Sequence, residues 1–410
     1  MPLPSAVREH RPDSAYAWRR LAASVLISTI GGVGMWSVVV VLPAVQAEFG
    51  ADRASASLPY TLTMLGFGAG GVLMGRLTDR FGVVPPVLAG AVCLAIGYAT
   101  AAAAESLWVF ALAQGFLIGA LGASAHFSPL VADVSHWFVA RRGLAVSLAA
   151  SGNYLAGAIW PPVTQRLVEA YGWRPTMLGI GLFCLVTIPP LALVLRPRPP
   201  ASALRAVPAA GETRGLAPGR LQGLLLVAGV ACCVAMSMPQ VHIVAYCGDL
   251  GYGAARGAEM LALMLGFGIV SRVASGFVAD RIGGLATLLL GSVLQGVALL
   301  LYLVVDGLTS LYVVSALFGL FQGGIVPSYA VIVRENFPAS EAGTRIALTL
   351  TATLVGMALG GWVSGVLFDL TGSYRAAFLN GLAWNLVNVT IVGWLLARNR
   401  PSRGLQGQPA

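Results

Sequence analysis

The sequence contains no lysine, so all 25 of its basic residues are arginine. A phosphate-binding loop of the G-x-x-x-x-G-K-[ST] kind therefore cannot occur, and ATP-driven pumping by this chain is excluded. Charge of either sign is scarce. Charged residues make up 10% of the 410, against about 25% in a soluble domain, while 57% are hydrophobic. Water is thereby excluded as the solvent for most of the surface. Acidic residues number only 16 and are sparse inside the apolar runs. That argues against a cation site within the membrane, and against a drug/proton antiporter that relies on a buried carboxylate. The five cysteines (Cys93, Cys184, Cys232, Cys233, Cys247) lack metal-ligand spacing and read as small hydrophobes. No group of His, Asp or Glu has ligand spacing either, so no metal, no other cofactor and no enzymatic chemistry are expected.

What the chain has in abundance is apolar runs long enough to cross a bilayer, which takes about 20 residues. They fall near 21–43, 55–75, 84–104, 107–132, 143–164 and 175–195, then near 221–246, 258–279, 284–305, 310–333, 344–368 and 376–397. The fold class predicted is an all-α membrane protein of twelve transmembrane helices in two six-helix halves. Its predicted parts are an N-terminal tail (1–20), a first bundle (21–195), an interdomain loop rich in Pro, Ala and Arg (196–220), a second bundle (221–397) and a C-terminal tail (398–410). The 51 glycines suit membrane helices, whose backbones approach closely at small residues. No small-residue cleavage site follows the first apolar run, which reads as a retained helix.

Arginine placement sets the expected orientation. With both termini cytoplasmic, nineteen arginines fall in cytoplasmic segments, and only Arg53, Arg166, Arg174, Arg256 and Arg375 in the opposite loops. Arg272 alone lies within a span. The halves also repeat. Gly75-Arg76-Leu77-Thr78-Asp79-Arg80-Phe81-Gly82 returns 201 positions later as Gly276-Phe277-Val278-Ala279-Asp280-Arg281-Ile282-Gly283. Gly172-Trp173-Arg174 returns as Ser373-Tyr374-Arg375, and Gly119, Ser128 and Gly143 match Gly319, Ser328 and Gly343. Two like-oriented halves place a substrate site between them near the midplane.

The doubled loop, G-x-L-x-D-R-x-G in the first copy and with Val278 at the Leu position in the second, resembles the signature of the major facilitator superfamily. A latch is its expected physical role. Gly75 and Gly276 permit close helix contact, Asp79 and Asp280 accept from a neighbouring helix N-terminus, and Arg80 and Arg281 pair across the loop. Trp137-Phe138-x-x-Arg141-Arg142-Gly143-Leu144-Ala145, with Ala150-Ser151-Gly152 and Gly157, resembles the helix 4–5 region of monocarboxylate transporters and oxalate/formate exchangers. Asp13-Ser14-Ala15-Tyr16-Ala17-Trp18 resembles the D-G-G-W-G-W signature of the former, with both glycines replaced. Arg272 falls where those families carry a substrate-binding arginine. Gly268 stands where monocarboxylate transporters usually place an aspartate. The resemblance implies anion binding without that proton-coupling route.

Several side chains are candidates for the work. An ionised Arg272 inside the span is costly without a partner, and a carboxylate matches guanidinium at two points. His242 and Tyr246 share a face of the seventh helix, beside Pro239 and Gln240. His126, in the fourth helix, shares a face with Asp133; either His could hold a proton. Asp133 itself reads as part of a salt bridge near His136, Arg141 and Arg142. Asn153, Tyr154, Gln322 and Tyr329 are polar groups inside apolar spans, as are Trp36 and Tyr60 more weakly. Arg334, Glu335, Glu341 and Arg345 read as an inner-gate cluster pairing across the halves. The function expected is secondary transport of a small organic anion, plausibly a monocarboxylate, by proton symport or anion exchange. Protons and lipid are the other partners, and nucleic acid is not one. The setting expected is a bacterial inner membrane, with a monomeric protein. An exporter of hydrophobic compounds and a membrane ligand sensor are the alternatives.

Overall fold

The computed structural model describes residues 12–139, 141–197 and 216–398; of Arg142, Ala339, Ser340 and Ala342 it describes the backbone alone. Most of both tails and of the expected interdomain loop, and the side chain of Arg142, lie outside the described residues. Twelve helical segments account for nearly all the rest. The first six are α1 (Ala15–Phe49), α2 (Arg53–Phe81), α3 (Val84–Ala102), α4 (Leu107–Ser135), α5 (Arg142–Tyr171) and α6 (Trp173–Leu193). The second six are α7 (Pro218–Asp249), α8 (Ala254–Ile282), α9 (Gly284–Val304), α10 (Leu308–Asn336), α11 (Ala339–Thr371) and α12 (Tyr374–Arg398).

Ten described helices are long and apolar enough to cross a membrane. The two others are α2 and α5, which carry more polar side chains and face the opposite half. Helices also overrun the predicted spans. The 33 residues of α11 reach about 50 Å at 1.5 Å per residue, beyond a hydrocarbon core of about 30 Å. Hydropathy marks only the part in hydrocarbon, whereas backbone hydrogen bonding continues through Ser, Thr and Arg at the ends. Three helices are interrupted. α1 breaks at Gly32, α4 passes through a π-helical stretch (Ala113–Gly122) and a tight turn (Ala123–His126), and α10 breaks at Gly323–Gly324.

The repeat in sequence is a repeat in geometry. Gly82 and Gly283 end α2 and α8 with φ of 83° and 81°, a region open to glycine. Their N–H groups donate to Thr78 and Ala279 carbonyls, each at 2.8 Å. Within each half the same pairs pack: α3 on α6 and α9 on α12, α2 on α4 and α8 on α10. The halves meet along two seams, α2 against α11 and α5 against α8.

The face opposite the termini is closed. Arg53, opening α2, donates through Nη2 to both oxygens of Asp249 at the end of α7 (2.7 and 2.8 Å), and through Nη1 to Gln46 (2.6 Å). Asp369, near the end of α11, accepts the backbone N–H groups of Arg53 and Ala54 (2.9 and 2.7 Å). A carboxylate there meets the positive end of the α2 dipole and satisfies its orphan donors. Gly172 and Gly372 end α5 and α11 alike, with φ of 82° and 66°, and counting back three residues from each equates Asp369 with Glu169, which instead bonds Gln165 on its own helix (2.9 Å). So one seam is clasped and its twin is not. Between α5 and α8 runs a mostly apolar groove of about 440 Å³, lined by Ala158, Pro162, Leu263, Gly266 and Val270 among others, with Glu259 as its one charged residue.

The face carrying the termini is parted. Asp79, Arg80, Asp280 and Arg281 are exposed, and nothing lies within 4 Å of a Cβ built on Gly75 or Gly276. The expected latch is therefore disengaged in this conformation. Arg80 lies over its neighbour Phe81 instead (5.2 Å). Among the described residues no ion pair joins the halves here, in contrast to the predicted inner-gate cluster. Arg345 pairs with Glu341 on its own helix (2.7 Å), and Glu335 caps the α9 N-terminus through Gly284 N–H (3.0 Å). Separation of the halves removes the cross-partners.

One ion pair on this face is fully sequestered. Arg20 of α1 grips Asp133 of α4 through Nε and Nη2 (2.7 Å each), and its guanidinium lies 4.5 Å from the Trp137 ring. Arg141 lies over Trp18 (6.0 Å), and its backbone N–H donates to Asp13 (3.3 Å). Asp133 thus ties α4 to α1 within the first bundle, as the salt-bridge reading expects.

Two outcomes follow. Asp133→Asn strands a buried cation and lowers the unfolding free energy by about 3–5 kcal/mol, whereas Glu341→Gln, at a more exposed pair, costs under about 1 kcal/mol; chemical unfolding of the purified variants compares them. Asp369→Asn loosens the clasp. Maleimide labelling of a Ser57→Cys reporter, buried beneath Arg53, should then accelerate at least about tenfold, from the loss of charge-assisted hydrogen bonds.

Candidate functional site

Arg272 projects from α8 at the seam with α5. Its Nη1 donates to the Ala150 carbonyl (3.3 Å), and its guanidinium lies 4.2 Å from the centre of the Tyr154 ring. Its Nε is buried without a hydrogen-bond partner. Among the described residues no carboxylate comes within ion-pairing distance. The side chain is half-buried, and it is a cation held by a carbonyl and an aromatic face, with donors to spare. Such an arrangement is chemically suited to an anion that offers two oxygens in a plane.

Other polar groups without full partners lie on α5 and on the helices packed against α8. Asn153 is adjacent to Tyr154, and its Oδ1 is buried without a partner, while its carbonyl accepts from Trp36 Nε1 (3.1 Å). In the second half, Gln240 of α7 donates to Gln322 of α10 (2.8 Å). The Gln322 Nε2 is left without a partner. The α8 and α10 backbones touch at Gly268 and Gly323, which brings Gln322 to the Arg272 helix. Tyr60, on α2, is buried against Gly361 of α11, at the other seam.

The other candidates stand elsewhere. His242 is fully buried, with Nε2 on the Gly361 carbonyl (2.8 Å) and Nδ1 on the Tyr374 hydroxyl (3.3 Å). It therefore ties α7 to α11 and α12 close to the outer clasp. Tyr246 shares its face as expected, and packs edge-on against Tyr374 and Phe378. His126 lies inside the first bundle, in the tight turn of α4, with Nε2 on the Val87 carbonyl of α3 (3.0 Å). Tyr329 lies inside the second bundle, where its hydroxyl meets Asn388 Oδ1 (3.2 Å) and Cys232 Sγ (3.4 Å).

That last contact belongs to a buried polar set absent from the sequence reading. Asn388 donates to Ser292 Oγ (2.7 Å), Asn385 to the Ser292 carbonyl (3.1 Å), and Gln295 to the Cys232 carbonyl (3.3 Å). It joins α7, α9, α10 and α12 and satisfies itself without a ligand. The i, i+3 spacing of Ser292 with Gln295, and of Asn385 with Asn388, is the signal that could have found it.

The sequence model of the Major Facilitator Superfamily matches residues 24–308 and 265–409. Monocarboxylate transporter 13 of Bos taurus is 30% identical over 389 residues, covering 91% of this chain and 88% of that protein. Human monocarboxylate transporter 11 is 28% identical, covering 90% and 80%. The agnestins efflux protein AgnL12 of Paecilomyces divaricatus is 24% identical, covering 88% and 82%. Among solved structures, a bacterial homologue of the human lysosomal transporter Spinster superposes with a TM-score of 0.67 at 16% identity, covering 94% of this chain and 96% of its own. Twelve helices in two repeated halves and a match along nearly the whole chain give one conclusion: this chain is a transporter of the Major Facilitator Superfamily, related within it to the monocarboxylate transporters.

Proposed function

We propose that the protein carries a small monocarboxylate across a bacterial inner membrane by alternating access, with Arg272 as the anion anchor. The observation that carries this is the half-buried Arg272 guanidinium, which lies at the seam between the halves with a free Nε and no carboxylate partner among the described residues. A bound carboxylate supplies the missing counter-charge, with two oxygens facing the guanidinium fork. Asn153, next in sequence to Tyr154, and the Gln240–Gln322 pair, on helices that pack against α8, are the secondary polar contacts of this proposal. The arginine bias assigns the parted face to the cytoplasm, so this conformation is inward-facing, and the Arg53–Asp249–Asp369 cluster is the closed outer gate. Both termini are then cytoplasmic. The five parts expected from the sequence serve as two bundles, a loop and two tails.

Coupling by exchange is favoured over proton symport. Both ring nitrogens of His242 are engaged in helix–helix contacts, and His126 packs within one bundle. Neither presents a free site at Arg272. In exchange, the anchor is neutralised by anion on both strokes and needs no titrating side chain.

A second reading is export of hydrophobic compounds. It rests on the apolar groove of about 440 Å³ along the α5–α8 seam, and on the efflux proteins among the relatives.

The test is uptake by proteoliposomes of labelled lactate, pyruvate, formate and oxalate, with preloaded anion or with an inward proton gradient. Uptake should require preloaded anion. Arg272→Ala should reduce it to the level of empty liposomes. Arg272→Lys keeps the charge but loses the planar fork, and should cost about 10–100-fold. Full uptake by Arg272→Ala contradicts the anchor role.

A further inference from the structure

We infer that Tyr154 is the positioning residue of the Arg272 anchor, and that the missing side chain at Gly268 is what admits its ring. The inference rests on the anchor reading above. Ala150 and Tyr154 are four residues apart on α5, and Gly268 and Arg272 four apart on α8, so each pair shares a face. The two faces interlock. Arg272 Nη1 reaches the Ala150 carbonyl at 3.3 Å, and the Tyr154 ring lies 4.2 Å beneath the guanidinium. A Cβ at Gly268 would stand 2.6 Å from Tyr154 Cε1 and 2.7 Å from Cδ1. Real side chains do not approach so closely, so the ring would have to swing away.

The helix cannot yield in its place. Behind Gly268, α8 is in backbone contact with Gly323 of α10, which blocks its retreat. Without the ring, a long arginine side chain is free to extend toward the parted face. With it, the negative face of the aromatic quadrupole fixes the plane of the cation and leaves Nε unengaged. The positioning is done across the seam. α8 of one half owns the anchor and α5 of the other half orients it. An anion drawing the guanidinium off the ring and the Ala150 carbonyl weakens a contact between the halves, so occupancy and the α5–α8 seam are linked.

Equilibrium binding of radiolabelled lactate to the purified full chain is the first readout, with thermal melting as the control for folding. Tyr154→Phe, which keeps the aromatic face, should bind within about twofold of wild type. Tyr154→Leu and Gly268→Ala should each weaken binding about tenfold, the worth of one cation–π contact. Gly268→Ala should add nothing in the Tyr154→Leu background, since platform and obstacle act on the same ring. Fully additive losses, or wild-type binding by Gly268→Ala, overturn the inference. The second readout needs no ligand. Spin labels at Leu144→Cys near the start of α5 and Phe277→Cys near the end of α8, both exposed, report the seam without anion in a protein freed of its native cysteines. Gly268→Ala should lengthen or broaden that distance. If lactate binds to none of these proteins, the monocarboxylate reading fails and this distance still decides the role of Tyr154: an unchanged distance overturns it.

Discussion

A guanidinium inside a membrane-spanning bundle must be compensated, and the way Arg272 is compensated organises this protein. Burial without a partner costs several kcal/mol. The chain offers it a carbonyl and an aromatic face, both from the opposite half. A neighbouring carboxylate would have made a stable, closed ion pair like that of Arg20 with Asp133. The partial compensation seen instead leaves donors for the anion proposed above. One of these two arginines is sealed into a bundle by two carboxylate oxygens, and the other keeps an unused donor at the seam between the halves.

The second constraint is that the two seams of the pseudo-twofold are not equivalent. At α2–α11, Asp369 holds the start of α2, and Arg53 reaches Asp249. At α5–α8, the matching Glu169 stays on its own helix, and an apolar groove opens. A repeated fold thus carries one polar closure and one apolar flank. The closure suits a gate that opens by breaking charge-assisted hydrogen bonds. The flank lies beside the anchor, where small residues such as Ala158 and Gly266 leave space. His242 belongs with the closure: its contacts to Gly361 and Tyr374 brace the helices that carry Asp249 and Asp369.

Much of the architecture was legible in the sequence because lipid imposes it. Twelve apolar runs and the Gly-x-x-x-Asp-Arg-x-Gly loop repeated at 201 positions anticipate the helices, the halves and the paired Gly82 and Gly283 turns. Arg272 was legible too, as a charge where hydropathy forbids one. Partner choice was not. Helical spacing tells which face of α7 carries His242 and Tyr246, but not that Gly361 and Tyr374 stand opposite. For the same reason Asp133 pointed toward Arg141 in sequence, whereas α1 brings Arg20 to it from 113 positions away. Arg53 counted only as a loop charge until α7 and α11 supplied its acceptors. Gly268 read simply as a missing acid, and only the position of the Tyr154 ring gives that gap a physical use. The breaks in α4 and α10 depend on packing between helices, which periodicity does not encode.

The central claim is that a carboxylate completes the coordination of Arg272. Calorimetric titration of purified wild-type protein with lactate and with lactamide, its neutral amide, tests this most directly, because the two differ little in size and shape. The account predicts that lactate binds and that lactamide binds at least about a hundredfold more weakly, as expected when a two-point charged contact is lost. Equal binding of the two would contradict it and move the site of recognition away from Arg272.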